Sequence, residues 1–200
     1  MPADAVAGIL LAAGTSSRMG AGRNKMLFAL HGDTVLRGAA RRAIDGGLDP
    51  LVVVLGHESD RARPELTGLT CTVVVNPEYD LGIASSLRAG IAALPPAVPA
   101  AMILLADMPF VTADMIRQMI ARYIAIRPPL VISDYDGVNA PPMLYDRRLF
   151  DELTDAQGEG CGKRVVRHHR AEADVLHWPE SALADIDVPD DYARLTTSGL

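Results

Sequence analysis

The sequence predicts an α/β protein with a mainly parallel sheet. Two observations carry that expectation. Continuous runs rich in Val, Ile and Leu alternate with stretches of helical periodicity. The runs lack polar alternation, as strands covered on both faces do. The first run is Val6 to Ala12 (VAGILLA). Thr34 to Ile44 follows as an amphipathic helix, with Val35, Leu36, Ala39, Ala40 and Ala43 on one face. Leu51 to Gly56 (LVVVLG) and Cys71 to Val75 (CTVVV) are the second and third runs. Ile83 to Leu94 reads as a helix ended by Pro95-Pro96. Ala101 to Ala106 is the fourth run, and Thr112 is placed to cap a helix whose apolar face is Met115, Ile116, Met119 and Ile120. Pro129 to Ser133 is the fifth run. Beyond Ser133 the pattern weakens, and DGVNAPPMLYDRRLF reads as loop around a short apolar piece, Met143 to Tyr145. Helical segments around Arg147 to Leu153 and Gly162 to His169 come next, then a short strand, Ala173 to Trp178. The closing DIDVPDDYARL reads as an extended piece and a helix. Crossovers between parallel strands are expected to be right-handed.

The 200 residues, 49% hydrophobic, fit one globular domain spanning 1–200. A formal net charge of -6 argues against a nucleic-acid partner, which calls for a basic face. No apolar run reaches the roughly 18 residues of a membrane span. The start, MPADAVAG, lacks the basic residues of a secretory signal. Two cysteines, Cys71 and Cys161, make no disulfide framework. The expected location is the cytoplasm. Of 19 basic residues only Lys25 and Lys163 are lysines. A compact ammonium approaches a phosphate differently from a planar guanidinium, which marks both lysines for attention.

In open α/β sheets, ligands bind beyond the carboxyl ends of the strands, where strand order reverses. The common doubly wound order puts that point between the first and fourth strands. The loop after the first is AGTSSRMGAGRNK and the loop after the fourth begins DMP. Gly14, Gly20 and Gly22 let backbone amides approach a ligand, Ser16 and Ser17 add hydroxyls, and Arg18 and Lys25 add positive charge. These are the donors a polyphosphate needs; a solvated surface loop is the alternative. The loop is not a P-loop, because Ala21 follows Gly20 where Gly-Lys-Ser/Thr is required, and it lacks the third glycine of the dinucleotide pattern. Asp107 opposite such a loop suggests Mg²⁺, which takes one or two carboxylates plus phosphate oxygens. Asp185 and Asp187 share a face of an extended segment, so either is a candidate second ligand.

Taken together, LAAGTSSRMG with Lys25, GIASSLRAG, LLADMPFV and DIDVPDDYARL resemble the MobA-like nucleotidyltransferases of molybdenum-cofactor maturation, the cytidylyltransferases among them most. The likeness runs from about Gly8 to Leu195. It implies a Rossmann-like three-layer sandwich of the glycosyltransferase-A type, and transfer of a nucleoside monophosphate from an NTP with release of pyrophosphate. It implies phosphate-holding roles for Ala13, Gly14, Arg18 and Lys25, with Leu11, Ala12 and Ser16 in the same nucleotide site. Lys25, Arg18 and Asp107 become the catalytic candidates. Asp107 and Asp187 become the Mg²⁺ ligands. LAAG rather than LAGG favours CTP over GTP. The Gly82 to Leu87 segment resembles the stretch near nucleotide and acceptor, with Ser85 and Ser86 as donors. The implied acceptor is a molybdopterin-type cofactor, with a molybdenum hydroxylase as a candidate recipient of the product.

Two segments depart from the family pattern: APPMLY (Ala140 to Tyr145) and GEGCGK (Gly158 to Lys163). Both are associated with the acceptor, which puts Pro142 and Lys163 forward as acceptor contacts and keeps other readings open. These are GTP as donor, a sugar or alditol phosphate as acceptor, or a non-catalytic cofactor chaperone. His57 reads as a helix-start or surface histidine. KRVVRHHR, Lys163 to Arg170, reads as a solvated helix face apart from Lys163. Cys161 has no nameable activating partner and, with His168 and His169, falls short of four zinc ligands. Met102, Met108, Met115 and Met119 read as core.

Overall fold

The computed structural model describes residues 4–20, 22–155, 161–186 and 191–192. Its centre is β1, Val6–Ala12, whose seven residues are all buried. Alternate side chains leave a strand on opposite faces, so one run of apolar residues serves two cores. Val6 and Leu10 join Leu36, Ala40, Ile116 and Met119 on one face. Ala7, Ile9 and Leu11 join Ala84, Leu87, Phe150 and Leu153 on the other. The result is the expected three-layer sandwich.

The chain order explains how the layers form. After β1 come a two-residue hairpin, β2 (Ala29–Leu30) and β3 (Asp33–Thr34), and α1 (Val35–Asp45). Thr34 caps α1: its Oγ1 accepts from the Arg37 amide at 3.3 Å. Next are β4 (Leu51–Leu55), α2 (Ser59–Ala62), β5 (Thr72–Val75), α3 (Ile83–Ala92) and β6 (Ala100–Leu105). Thr112 caps α4 (Ala113–Ile126) as the sequence predicts, accepting from the Met115 amide at 3.2 Å. Then follow β7 (Leu130–Tyr135), β8 (Val138–Asp146), α5 (Phe150–Asp155), α6 (Cys161–His169) and β9 (Asp174–Trp178). The seven-stranded sheet has the order β5-β4-β1-β6-β8-β7-β9. β1 lies between β4 and β6, parallel to both. That is the switch point, and it brings the loop after β1 beside the loop after β6. Among the described residues no helix is long and apolar enough to cross a membrane.

One expectation is corrected. The stretch read as loop around Met143 to Tyr145 is β8, nine residues long and antiparallel to both β6 and β7. Pro141 and Pro142 have no amide to give a ladder. The pairing accommodates them with a register shift between Ile132 and Asp134, and side chains take over. Ser133 Oγ donates to the Pro142 carbonyl at 2.6 Å, and the Tyr135 hydroxyl donates to the Pro141 carbonyl at 2.9 Å. The Asp136-Gly137 turn, with φ of 51° and 90°, closes the hairpin. The closing DIDVPDDYARL lies largely outside the described residues.

Candidate active site

The loop after β1 turns sharply because its residues permit it. Ser16 sits at φ 53°, Gly20 at 92° and Gly22 at 72°. The Ser16 hydroxyl accepts from the Lys25 amide at 3.2 Å, folding the loop back on itself. Asn24 begins the next turn, its Oδ1 accepting from the Met26 amide at 3.1 Å. Lys25 is thereby directed inward. It is 9% exposed, and its Nζ lies 2.6 Å from Asp107 Oδ2. The Asp107 side chain, 21% exposed, extends from the end of β6. The Ile186 amide donates to the Asp107 carbonyl at 3.1 Å, which brings the segment carrying Asp185 alongside.

These groups line a cavity of about 400 Å³ at the carboxyl ends of the parallel strands. Leu11, Ala12, Ala13, Gly14, Ser16, Arg18, Lys25, Gly82, Ser86 and Asp107, all put forward from the sequence, border it. Ser85 does not. Its hydroxyl is held by the carbonyls of Glu78 at 2.7 Å and Gly82 at 2.8 Å, so it shapes the wall from behind. Tyr79 and Asp80, which the motifs did not single out, complete the wall. His57 does not border this cavity; its ring tilts against Tyr79 with centroids 5.9 Å apart. Asp187 lies outside the described residues.

Gly56 sets the spacing of this corner. A Cβ on it would lie 2.6 Å from Tyr79 Cβ and 2.7 Å from the Ala13 carbonyl oxygen. Gly56→Ala is expected to cost about 1–3 kcal/mol in denaturant unfolding through overpacking, and to weaken nucleotide binding by pushing the two walls apart.

A second cavity of about 650 Å³ adjoins the first, sharing Leu11, Ile83 and Leu105 with it. Its floor is apolar, with Leu87, Ile103 and Met143 among the contributors. Its rim is basic: Lys163, Arg167 and Arg170 of the α6 region. The spacing i, i+4, i+7 puts these three on one helix face, a signal present in KRVVRHHR but read there as solvation. Lys163, put forward from the sequence, lines this cavity. Pro142 is buried, and its neighbour Pro141 lines the cavity. The helix α6 is tied to α5 through Glu152. His168 Nδ1 and His169 Nε2 each lie 2.8 Å from one of its carboxylate oxygens. The His169 hydrogen bond foremost, with that of His168, holds the Glu152 carboxyl below its ordinary range despite some burial.

Among the described residues no cluster of three His, Cys, Asp or Glu side chains could hold a metal alone. A part-exposed Asp107 on the cavity wall fits a Mg²⁺ that completes its shell with substrate oxygens.

A mainly parallel sheet of this order, with a glycine-rich loop and a lysine–aspartate pair at the carboxyl ends of its central strands, is an α/β fold with its candidate site at the switch point. Residues 8–173 match the MobA-like NTP transferase domain, and the chain belongs to that family. It is 28% identical over 200 residues to the nicotine blue oxidoreductase of Paenarthrobacter nicotinovorans, covering 95% of this chain and 96% of that protein. The structure of Rv0371c from Mycobacterium tuberculosis H37Rv is similar with a TM-score of 0.87 and 28% identity, over 99% of this chain and 100% of that one. A manganese complex of Rv0371C gives 0.79 and 26%, over 97% and 99%. A nucleotidyl transferase from Methanothermobacter thermautotroptrophicus shares the fold, with a TM-score of 0.82 at 19% identity over 96% and 95%.

Proposed function

We propose that the protein transfers CMP from CTP to a molybdopterin-type cofactor, with release of pyrophosphate and dependence on Mg²⁺. The observation that carries this reading is the Lys25–Asp107 pair, 2.6 Å apart, in a cavity that opens into a second, basic-rimmed one. The first cavity suits a nucleoside triphosphate. The second suits an acceptor with a planar apolar body and an anionic group. CTP is preferred on the Leu11-Ala12-Ala13-Gly14 sequence.

In this reaction an acceptor phosphate oxygen attacks the α-phosphorus in line, and the bond from the α-phosphorus to the bridging oxygen of pyrophosphate breaks. The acceptor is already anionic, so no general base is needed. Lys25 and Arg18 neutralise charge that builds on the departing pyrophosphate. The amides of the Ala13–Arg18 loop hold the triphosphate and fix its geometry. Asp107 would hold the Mg²⁺, with Asp187 as the second carboxylate. When bound, that ion supplies charge neutralisation and orients the phosphates. The manganese complex of the Rv0371C relative supports a divalent cation in this fold.

Lys163, Arg167 and Arg170 are assigned to the acceptor's anionic group. Reversing two of these charges, Arg167→Glu with Arg170→Glu, is expected to raise the KM for the acceptor by roughly 10- to 100-fold. The Kd for CTP should stay within about twofold, because these residues border the second cavity and not the first. Calorimetric CTP binding and acceptor titrations check both halves.

The proposal is tested by pyrophosphate release with Mg²⁺ across CTP, GTP and other NTPs, with and without molybdenum cofactor. Release with CTP that requires the cofactor supports it. GTP-dependent release, or release with a sugar or alditol phosphate, moves the substrate assignment. Cofactor binding without any release favours a chaperone that hands the cofactor to a molybdenum hydroxylase.

A second reading has one observation in its favour. The end-to-end match with a relative named as an oxidoreductase, together with the large apolar cavity, suits an organic redox substrate. Substrate-dependent NAD(P)H consumption with no pyrophosphate release would select it.

A further inference from the structure

The loop between β5 and α3 is organised by a single buried amide, Asn76, which is 3% exposed. Its backbone N–H donates to the Leu55 carbonyl at 2.8 Å, anchoring it at the end of β4. Its Oδ1 accepts from the Glu78 amide at 3.0 Å. A backbone N–H can only donate, so this contact fixes which end of the carboxamide is oxygen. The Nδ2 end therefore faces both serines of the GIASSL segment. It donates to Ser85 Oγ at 2.9 Å and to Ser86 Oγ at 3.0 Å. The two serines then differ. Ser85 directs its one proton at the Glu78 and Gly82 carbonyls, which share it, and is fully used within the loop. Ser86, 4% exposed but bordering the nucleotide cavity, accepts from Asn76. Its proton makes no hydrogen bond among the described residues.

We propose that Asn76 is a positioning residue: by occupying the acceptor side of Ser86 Oγ from behind, it fixes that hydroxyl as a hydrogen-bond donor to the nucleotide. Nothing in the nucleotide's surroundings requires Asn76 to touch it, since Asn76 borders neither cavity. The inference rests on the nucleotide reading of the first cavity. It adds a polarity to that reading: Asn76 donates, Ser86 relays, the nucleotide accepts. An apolar or reversed partner behind Ser86 would let the hydroxyl rotate inward and leave the ligand without a donor. Asn76 stands ahead of GIASSL in the sequence and carries no motif of its own there.

The test is a double-mutant cycle read by equilibrium CTP binding in the presence of Mg²⁺. Ser86→Ala is expected to weaken binding about tenfold, the scale of a hydrogen bond to a charged ligand. Asn76→Ala should weaken it similarly. The double variant should bind within about threefold of the weaker single variant, because both substitutions remove one relay. Full additivity, with the double variant weakened by the product of the two effects, would overturn the relay and leave Asn76 as loop scaffolding. Should Asn76→Ala not fold, Asn76→Asp keeps the shape and the bond from Glu78 but accepts from Ser86 instead of donating. It should then lose affinity in the parent and much less in the Ser86→Ala background; equal losses in both would overturn the proposal. Failure of the parent protein to bind any NTP would overturn both the relay and the nucleotide reading. Binding with an additive cycle would overturn the relay alone.

Discussion

Lys25→Ala is expected to lower pyrophosphate release by about 10²- to 10³-fold, the scale seen when one preorganised donor to a developing negative charge is removed. The reason is position as well as charge. Lys25 is 9% exposed and reaches the cavity from a turn set by Asn24 and Ser16, so its ammonium is held where the triphosphate must lie. Folding should suffer less than catalysis. Asp107, left without its partner, has a side chain 21% exposed and can be met by water, which spares it the cost of a fully buried orphan charge. Lys25→Arg should fail to restore the rate, because a planar guanidinium does not fit where a compact ammonium is enclosed. Steady-state kinetics alongside thermal unfolding separates the two effects. An equal collapse of stability and rate would place Lys25 in the scaffold instead.

Asp107→Asn should reduce Mg²⁺-dependent turnover by roughly 10³-fold, since it removes the carboxylate assigned to the ion. It should also do something a purely destructive substitution would not. Asp107 and Lys25 lie 2.6 Å apart on the cavity wall. Taking away the carboxylate removes a negative charge from the wall that faces the triphosphate, so CTP binding measured with EDTA should become several-fold tighter than in the parent. With Mg²⁺ present, the gain in affinity on adding the ion should shrink. Calorimetry with and without Mg²⁺ reads both. Weaker CTP binding under both conditions would contradict the roles given to the pair.

Much of this site was legible because its parts are local or topological. The glycine–serine–cation loop can be seen in one stretch of chain. The rule that ligands sit where strand order reverses brought Asp107 to it without any side-chain geometry, and β1 does pair with β6. What escaped depends on partners distant in sequence. β8 was hidden because Pro141 and Pro142 contradict the strand pattern; their carbonyls are served by Ser133 and Tyr135 on β7. The Asp136-Gly137 dipeptide was the available hairpin signal, yet it stood beside no clean alternation. Asn76 was invisible for a similar reason, since its partners, Leu55, Ser85 and Ser86, are gathered only by the fold. Arg167 and Arg170 stand in a basic run on a helix, which is ordinarily a solvated face, and only packing shows which side meets a cavity.

The central claim is tested most directly by following the α-phosphate itself. CTP labelled at that phosphorus is incubated with the protein, Mg²⁺ and molybdenum cofactor, and the cofactor is then isolated. The account predicts label in the cofactor, one equivalent of unlabelled pyrophosphate for each transfer, and loss of both with Asp107→Asn. Label that remains in CTP while the protein binds both substrates, or cofactor turnover that proceeds without CTP, would contradict it.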